Sequence, residues 1–177
     1  VLIWCDVDME IVKRIELEQH LRTTGVIFSK HPGFTFNFST FLSLNPILVL
    51  RTVIKISRMK IFHMFNRTGW ETNKWSTAYV PFRKRRTYVQ GGFWFGRTPD
   101  ILQMCRILST NIDIDAEISY VACWNDESHL NWYAANYRVG YLPSGFVSVK
   151  GYRLLDPEVA HIYCLDKEEL DLNIRAK

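Results

Sequence analysis

Ile118-Ser119-Tyr120-Val121-Ala122-Cys123-Trp124-Asn125-Asp126-Glu127-Ser128-His129-Leu130-Asn131 reads as an apolar, β-branched run of the kind found in buried strands, giving way to a polar helix. Asn125 is a good N-cap, which puts Asp126 and Glu127 in the first helical turn. Two carboxylates there have two readings: they complement the helix dipole and its orphan amides, or they hold a reacting centre. A second acidic pair favours the latter. Val1-Leu2-Ile3-Trp4-Cys5 is an uninterrupted apolar run, typical of a central strand buried on both faces, and it ends in Asp6-Val7-Asp8. On an extended chain Asp6 and Asp8 point the same way. At the carboxyl end of a strand in an open α/β sheet they can share one hard divalent cation with phosphate oxygens, although turn-forming acids show the same short pattern.

Outward from these runs, residues 77–82 and 87–95 read as strands, and Thr98-Pro99-Asp100 as a helix start with proline at the first helical position. The spacing predicts a helix to Ser109 that buries Ile101, Leu102, Cys105 and Leu108, and a second helix over residues 126–137. Strands alternating with helices make the fold class α/β, with no internal repeat. The Gly, Pro and Ser content of residues 140–151 reads as a surface loop.

Composition agrees with one domain or a large part of one: 177 residues, 47% hydrophobic, can bury a single core. The formal charge of +4 suits an anionic nucleotide ligand, and no basic-aromatic array of the RNA-binding type is present, so no nucleic-acid partner is expected. Arg83-Lys84-Arg85-Arg86 is the one tight basic cluster, either a solvated turn between two strands or a contact with nucleotide phosphate or another anionic partner. Cys5, Cys105, Cys123 and Cys164 form no C-x-x-C pair, and the two in apolar runs, Cys5 and Cys123, read as buried free thiols. The five histidines lack zinc-helix spacing, which speaks against a zinc hydrolase.

Taken together, the islands Cys5-Asp6-Val7-Asp8-Met9, His31-Pro32-Gly33-Phe34, Trp70-Glu71 through Ser76-Thr77-Ala78-Tyr79-Val80-Pro81, Tyr88-Val89-Gln90-Gly91-Gly92-Phe93-Trp94-Phe95-Gly96 and Trp124-Asn125-Asp126-Glu127-Ser128-His129-Leu130-Asn131 resemble the retaining α-1,3 glycosyltransferases. That family includes the histo-blood-group transferases, α-1,3-galactosyltransferase and the Forssman-type N-acetylgalactosaminyltransferase. Leu155-Asp156-Pro157-Glu158 is similar to a further family segment. The resemblance implies the C-terminal part of a GT-A-like fold, a mixed sheet flanked by helices, with the N-terminal nucleotide-binding strands missing. It implies an enzyme moving galactose or N-acetylgalactosamine from UDP to a galactose- or N-acetylgalactosamine-terminated glycan on a glycoprotein or glycolipid. By the same resemblance Asp6 and Asp8 hold Mn²⁺, and Asp6, Val7 and Asp8 lie at the nucleotide. Oxygen ligands alone do not separate Mn²⁺ from Mg²⁺. Glu127 matches the candidate nucleophile, and Asp126, Gln90, Gly91 and Gly92 match donor-sugar positions. His31, Trp124 and Tyr88 match acceptor positions. The paired glycines leave room for an N-acetyl group beside the donor sugar, which leans the donor towards UDP-N-acetylgalactosamine. A Golgi membrane location with a lumenal catalytic domain is implied, anchored only through a segment upstream of Val1.

The whole chain then reads as one incomplete catalytic domain interrupted by an atypical segment at residues 35–69. Its first part is short and polar for a membrane span, and Arg51, Lys55, Arg58 and Lys60 alternate with apolar residues in its second part. It is either a basic amphipathic helix at a membrane surface or extra sequence such as a translated intron. The sequons Asn37-Phe38-Ser39 and Asn66-Arg67-Thr68 fall inside it. Against the family pattern, Asn125 replaces a histidine, Phe95 a glycine, and Gly69 a threonine. Two other readings therefore stand beside the enzyme: an inactive carbohydrate-binding relative, and a membrane-surface module built on residues 51–60.

Overall fold

The computed structural model describes residues 1–22, 24–31, 69–143, 145–149 and 159–165. Expectations for residues 32–68, 150–158 and 166–177 lie outside these. They include the segment after His31, both sequons and Leu155-Asp156-Pro157-Glu158.

The described residues contain two mixed sheets and helices, an α/β architecture. The strands are β1 (Leu2–Cys5), β2 (Met9–Ile11), β3 (Val26–Lys30), β4 (Val89–Gly96), β5 (Gly140–Tyr141), β6 (Val147–Val149) and β7 (Ile162–Cys164). The helices are α1 (Leu17–His20), α2 (Thr98–Glu117) and α3 (Asn125–Asn136). They fall into two compact units: one drawn from Val1–Phe36, Gln90–Ile101 and Val139–Lys177, the other from Asn37–Val89 and Leu102–Arg138.

The first unit carries both sheets. One has the order β1-β4-β3-β5, with β1 antiparallel to β4 (Cys5 opposite Phe93) and β3 parallel to β5. The other has the order β2-β7-β6, antiparallel between β2 and β7 and parallel between β7 and β6. Ile27, Phe93, Phe95, Leu142, Phe146 and Ile162 form the core cluster. Each such buried side chain contributes roughly 1.5–3 kcal/mol. Phe93 and Phe95 are the share of β4, which lies inside the sheet between β1 and β3. β1 corrects the expectation of a central strand: it is an edge strand and every residue of it is exposed. An apolar run reports side-chain chemistry, not how many neighbours a strand has. Residues 140–151 are also corrected, because β5, β6 and the buried Leu142, Phe146 and Val147 lie in a stretch that its Gly and Pro content marks as loop.

Gly96 ends β4 where the chain passes close to Gly25. A Cβ on Gly96 would strike the Gly25 carbonyl oxygen and the Ile101 side chain, and Arg97 N–H donates to that same carbonyl at 2.8 Å. Only glycine permits this approach at the entry to α2.

In the second unit, α2 runs to Glu117 instead of ending at Ser109. Its buried residues are Ile101, Met104, Leu108 and Asp115, while Leu102 and Cys105 are exposed. The buried stripe keeps Ile101 and Leu108 and is rotated towards Met104, away from the flank of Leu102 and Cys105. Residues 77–82 are no strand: turns lead into a 3-10 turn, Phe82–Lys84. The buried carboxylate of Asp115 explains this, because it accepts from Ser76 Oγ at 2.6 Å and from Thr77 N–H at 2.7 Å, and Thr77 Oγ1 donates to the Asn111 carbonyl at 2.9 Å. The Asp115 side chain has taken the Thr77 N–H that a ladder would use.

Residues 118–123 likewise form a connection between helices and not a strand. Ser119 takes φ 53° just past the end of α2, and Ile118 and Val121 are exposed. Cys5 and Cys123 are free thiols but exposed, against the expectation of burial. Among the described residues no helix is long and apolar enough to cross a membrane.

Since Asp115 has given up water for these two donors, Ser76→Ala is expected to lower unfolding free energy by about 1.5–3 kcal/mol, the weight of a hydrogen bond to a charged group. Urea denaturation of the two proteins checks this, and coincident curves would show that the Ser76 bond carries no net stability.

Candidate active site

Asp6, Asp8, His31, Gln90, Gly91 and Gly92 belong to the first unit; Tyr88, Trp124, Asp126 and Glu127 belong to the second.

In the first unit β1 ends at Cys5 and the chain reverses through a turn at Val7-Asp8 into β2. The acids therefore sit on a turn, not on extended chain, and the alternation argument for their common direction does not apply. What positions them is backbone bonding. Asp6 N–H donates to the Gly92 carbonyl at 2.9 Å, Met9 N–H to the Asp6 carbonyl at 3.2 Å, and Leu165 N–H to the Asp8 carbonyl at 2.8 Å. The Trp4 indole N–H donates to Asp6 Oδ1 at 2.9 Å, and its ring stacks on Trp94 with centroids 5.8 Å apart. A Cβ on Gly92 would collide with the Met9 methyl and come within 3.2 Å of Asp6 Oδ2. The space beside Gly92 is thus filled by the acidic turn itself.

Gln90 is buried, and its amide donates to Ser29 Oγ at 2.8 Å while its oxygen receives the Cys164 thiol at 3.9 Å. Ser29 Oγ in turn donates to the Phe93 carbonyl. Burial, with the charges of Asp8 and Asp6 added, pushes the Cys164 thiol up to about 11. Burial and the same two charges also raise Cys5. Both thiols therefore stay protonated at neutral pH. Asp6 and Asp8 offer carboxylate oxygens, the ligand type that a hard divalent cation takes. Among the described residues, no group of three or more His, Cys, Asp and Glu side chains is gathered to hold a metal. Burial pushes His31 down to about 4, so its imidazole is neutral at physiological pH.

In the second unit Glu127 lies in the first turn of α3, as its sequence position predicts. Its carboxylate accepts from the Tyr88 hydroxyl at 2.7 Å. Burial first, then the charge and hydrogen bond of Glu127, push the Tyr88 phenol well above its ordinary value. It remains a donor throughout the physiological range. The Trp70 ring meets that of Tyr88 edge to face at 5.3 Å. Asp126 and Trp124 are exposed.

The expected N-cap is corrected. Trp124 occupies that position and Asn125 begins the helix at φ 48°, a left-handed backbone that asparagine adopts more readily than most residues. Ser128 Oγ accepts the Trp124 N–H at 3.0 Å, capping from within the helix.

Three supports were not read from the sequence. Asn131, 1% exposed, donates to the carbonyls of Val89 and Glu127 at 2.8 and 2.9 Å and accepts Val89 N–H at 2.8 Å. Its place four residues after Glu127, on the same helix face, was the available signal. Glu71, buried, accepts Asn73 N–H, Tyr120 Oη and Cys123 N–H at 2.7, 3.0 and 2.8 Å, holding the loop that leads into α3. His129 is buried with Nε2 3.8 Å from Asp115 and Nδ1 unpartnered; burial lowers its pKa, opposed by the nearby acids. Asp115 was legible as the one acid on the buried face of α2.

A carboxylate oriented by a permanently protonated phenol can stabilise, or attack, a developing carbocation. Residues 54–167 match the model of Glycosyltransferase family 6. The matched stretch contains Tyr88, the Gln90-Gly91-Gly92 triplet and α3; it leaves Asp6, Asp8 and His31 outside. The O-antigen biosynthesis glycosyltransferase WbnI of Escherichia coli is 31% identical over 96 residues, which are 54% of this chain and 38% of that protein. The chain thus spans well under half the length of this curated relative. With more than half of its own length matched to the family, and the Tyr88–Glu127 pair inside the matched stretch, the chain belongs to glycosyltransferase family 6.

Proposed function

We propose that the chain is the catalytic part of a retaining enzyme that moves galactose or N-acetylgalactosamine from a UDP-sugar, in α-1,3 linkage, to a galactose- or N-acetylgalactosamine-terminated glycan on a glycoprotein or glycolipid. The observation that carries this reading is the carboxylate of Glu127 held by Tyr88 Oη at 2.7 Å. Similarity to an O-antigen biosynthesis glycosyltransferase supports a saccharide acceptor. A Golgi membrane location with a lumenal catalytic domain belongs to the same proposal.

Transfer breaks the anomeric C–O bond to the diphosphate and leaves positive charge on the sugar ring. Glu127 faces that charge as a carboxylate. It either forms a glycosyl ester that the acceptor hydroxyl then displaces, or stabilises a short-lived ion pair while the acceptor enters from the departing side. Tyr88 keeps its proton in both routes and fixes the direction of the carboxylate. Asp6 and Asp8 would hold a divalent cation, Mn²⁺ or Mg²⁺, which when bound would supply Lewis acidity to the departing diphosphate. Gly91 and Gly92 take donor-sugar positions with Asp126, and His31 and Trp124 take acceptor positions. His31 serves as a neutral hydrogen-bonding group, consistent with its lowered pKa. The buried amide of Gln90 is committed to Ser29 and Cys164, so it shapes the donor side through β4 and not through its own side-chain atoms.

With UDP-galactose and UDP-N-acetylgalactosamine assayed in parallel in the presence of Mn²⁺, Glu127→Gln is expected to lower kcat by about a hundredfold or more. A rate equal to wild type would remove Glu127 from the chemistry. Tyr88→Phe deletes one hydrogen bond to a charged group, about 1.5–3 kcal/mol, and is expected to lower kcat by about 10- to 100-fold with KM for the donor little changed. Steady-state kinetics separates this from a binding defect, in which KM alone would rise.

A further inference from the structure

Pro81-Phe82-Arg83-Lys84-Arg85-Arg86 leads into β4 and has no part in the transfer reading. Its shape is set locally. Lys84 N–H donates to the Pro81 carbonyl at 2.8 Å and Arg85 N–H to that of Phe82 at 3.2 Å, which winds one 3-10 turn. The Arg85 guanidinium folds back onto the Val80 carbonyl at 2.8 Å, and Lys84 Nζ reaches Asn136 Oδ1 at 2.6 Å. These two bonds brace the turn against Val80 and α3.

This braced turn presents Phe82, 83% exposed, with Pro81, Arg83, Lys84 and Arg86 exposed around it. No Asp or Glu occurs in the sequence between Glu71 and Asp100 to offset these cations. Phenylalanine has no polar handle, so only an apolar surrounding relieves its contact with water. The cations require anions. An anionic bilayer offers both at adjoining depths, hydrocarbon for the ring just below headgroups for the arginines and lysine. A sulfated glycan supplies the charge without the hydrocarbon, and an acidic protein would have to add a pocket for the ring.

We infer that this turn is a membrane-surface contact, with Phe82 seated at the boundary of headgroups and acyl chains and Arg83, Lys84 and Arg86 on anionic lipid headgroups. The contact is peripheral and does not depend on the transfer reading. It is also distinct from the cations of residues 51–60, which the test leaves in place.

Vesicle flotation with phosphatidylcholine alone, and with phosphatidylcholine plus phosphatidylserine, tests this on the whole chain. Binding is expected only to the anionic vesicles and to weaken with added salt. Phe82→Ser is expected to lower the partition coefficient by about tenfold or more. Arg83→Glu combined with Arg86→Glu is expected to lower it by at least about tenfold. All three side chains are exposed, and unchanged circular dichroism will confirm that the variants fold. Absence of binding to anionic vesicles overturns the inference. So does binding that persists in the double charge variant, which would assign it to other cations. Equal loss of heparin binding in the charge variant with no effect of Phe82→Ser on vesicles would reassign the turn to an anionic polymer and overturn it too.

Discussion

The side-chain amide of Asn131 is the constraint on which the arrangement around Glu127 depends. It satisfies both backbone groups of Val89 and the carbonyl of Glu127 in one stroke, and it is buried where water cannot substitute. Two bonds to a single residue pin Val89 to α3 through both its backbone groups. Tyr88, the residue before Val89, is thereby placed to meet the carboxylate of Glu127, whose own carbonyl is held by the same amide. One asparagine sets both partners of the pair.

Two buried carboxylates extend this logic through the second unit. Glu71 and Asp115 each accept bonds from the backbone of irregular segments, residues 73 and 123 for one and residue 77 for the other. An isolated charge so deep in protein would be expensive, and charge-assisted bonds from several donors offset that cost. The loops around α3 are accordingly built on acids and not on strand ladders. This places functional residues on irregular backbone that is nevertheless held at several points.

In the first unit the comparable constraint is the crowding at Gly92. The acidic turn occupies the space that a side chain there would need, and Asp6 is tied to the Gly92 carbonyl besides. An alanine at 92 would therefore press on the Met9 side chain and on the carboxylate of Asp6. Nearby, burial and the same acids raise the Cys164 thiol to about 11.

By itself the sequence determined the α/β class, the helix that opens with Asp126 and Glu127, the strand around Val89-Gln90-Gly91-Gly92, and family membership through those same motifs. These are local matters, decided by periodicity, by first-turn acids and by residue types at fixed spacing. It misplaced β1 in the sheet interior, drew strands over residues 77–82 and 118–123, and rotated the buried face of α2. Each of those depends on a partner distant in the chain. Among the described residues β1 has β4 as its one neighbour, and residues 77 and 123 forgo a ladder because Asp115 and Glu71 reach their amides first. Hydrogen-bond competition between groups 38 and 52 residues apart leaves no trace in local pattern, so only the tertiary structure could decide it.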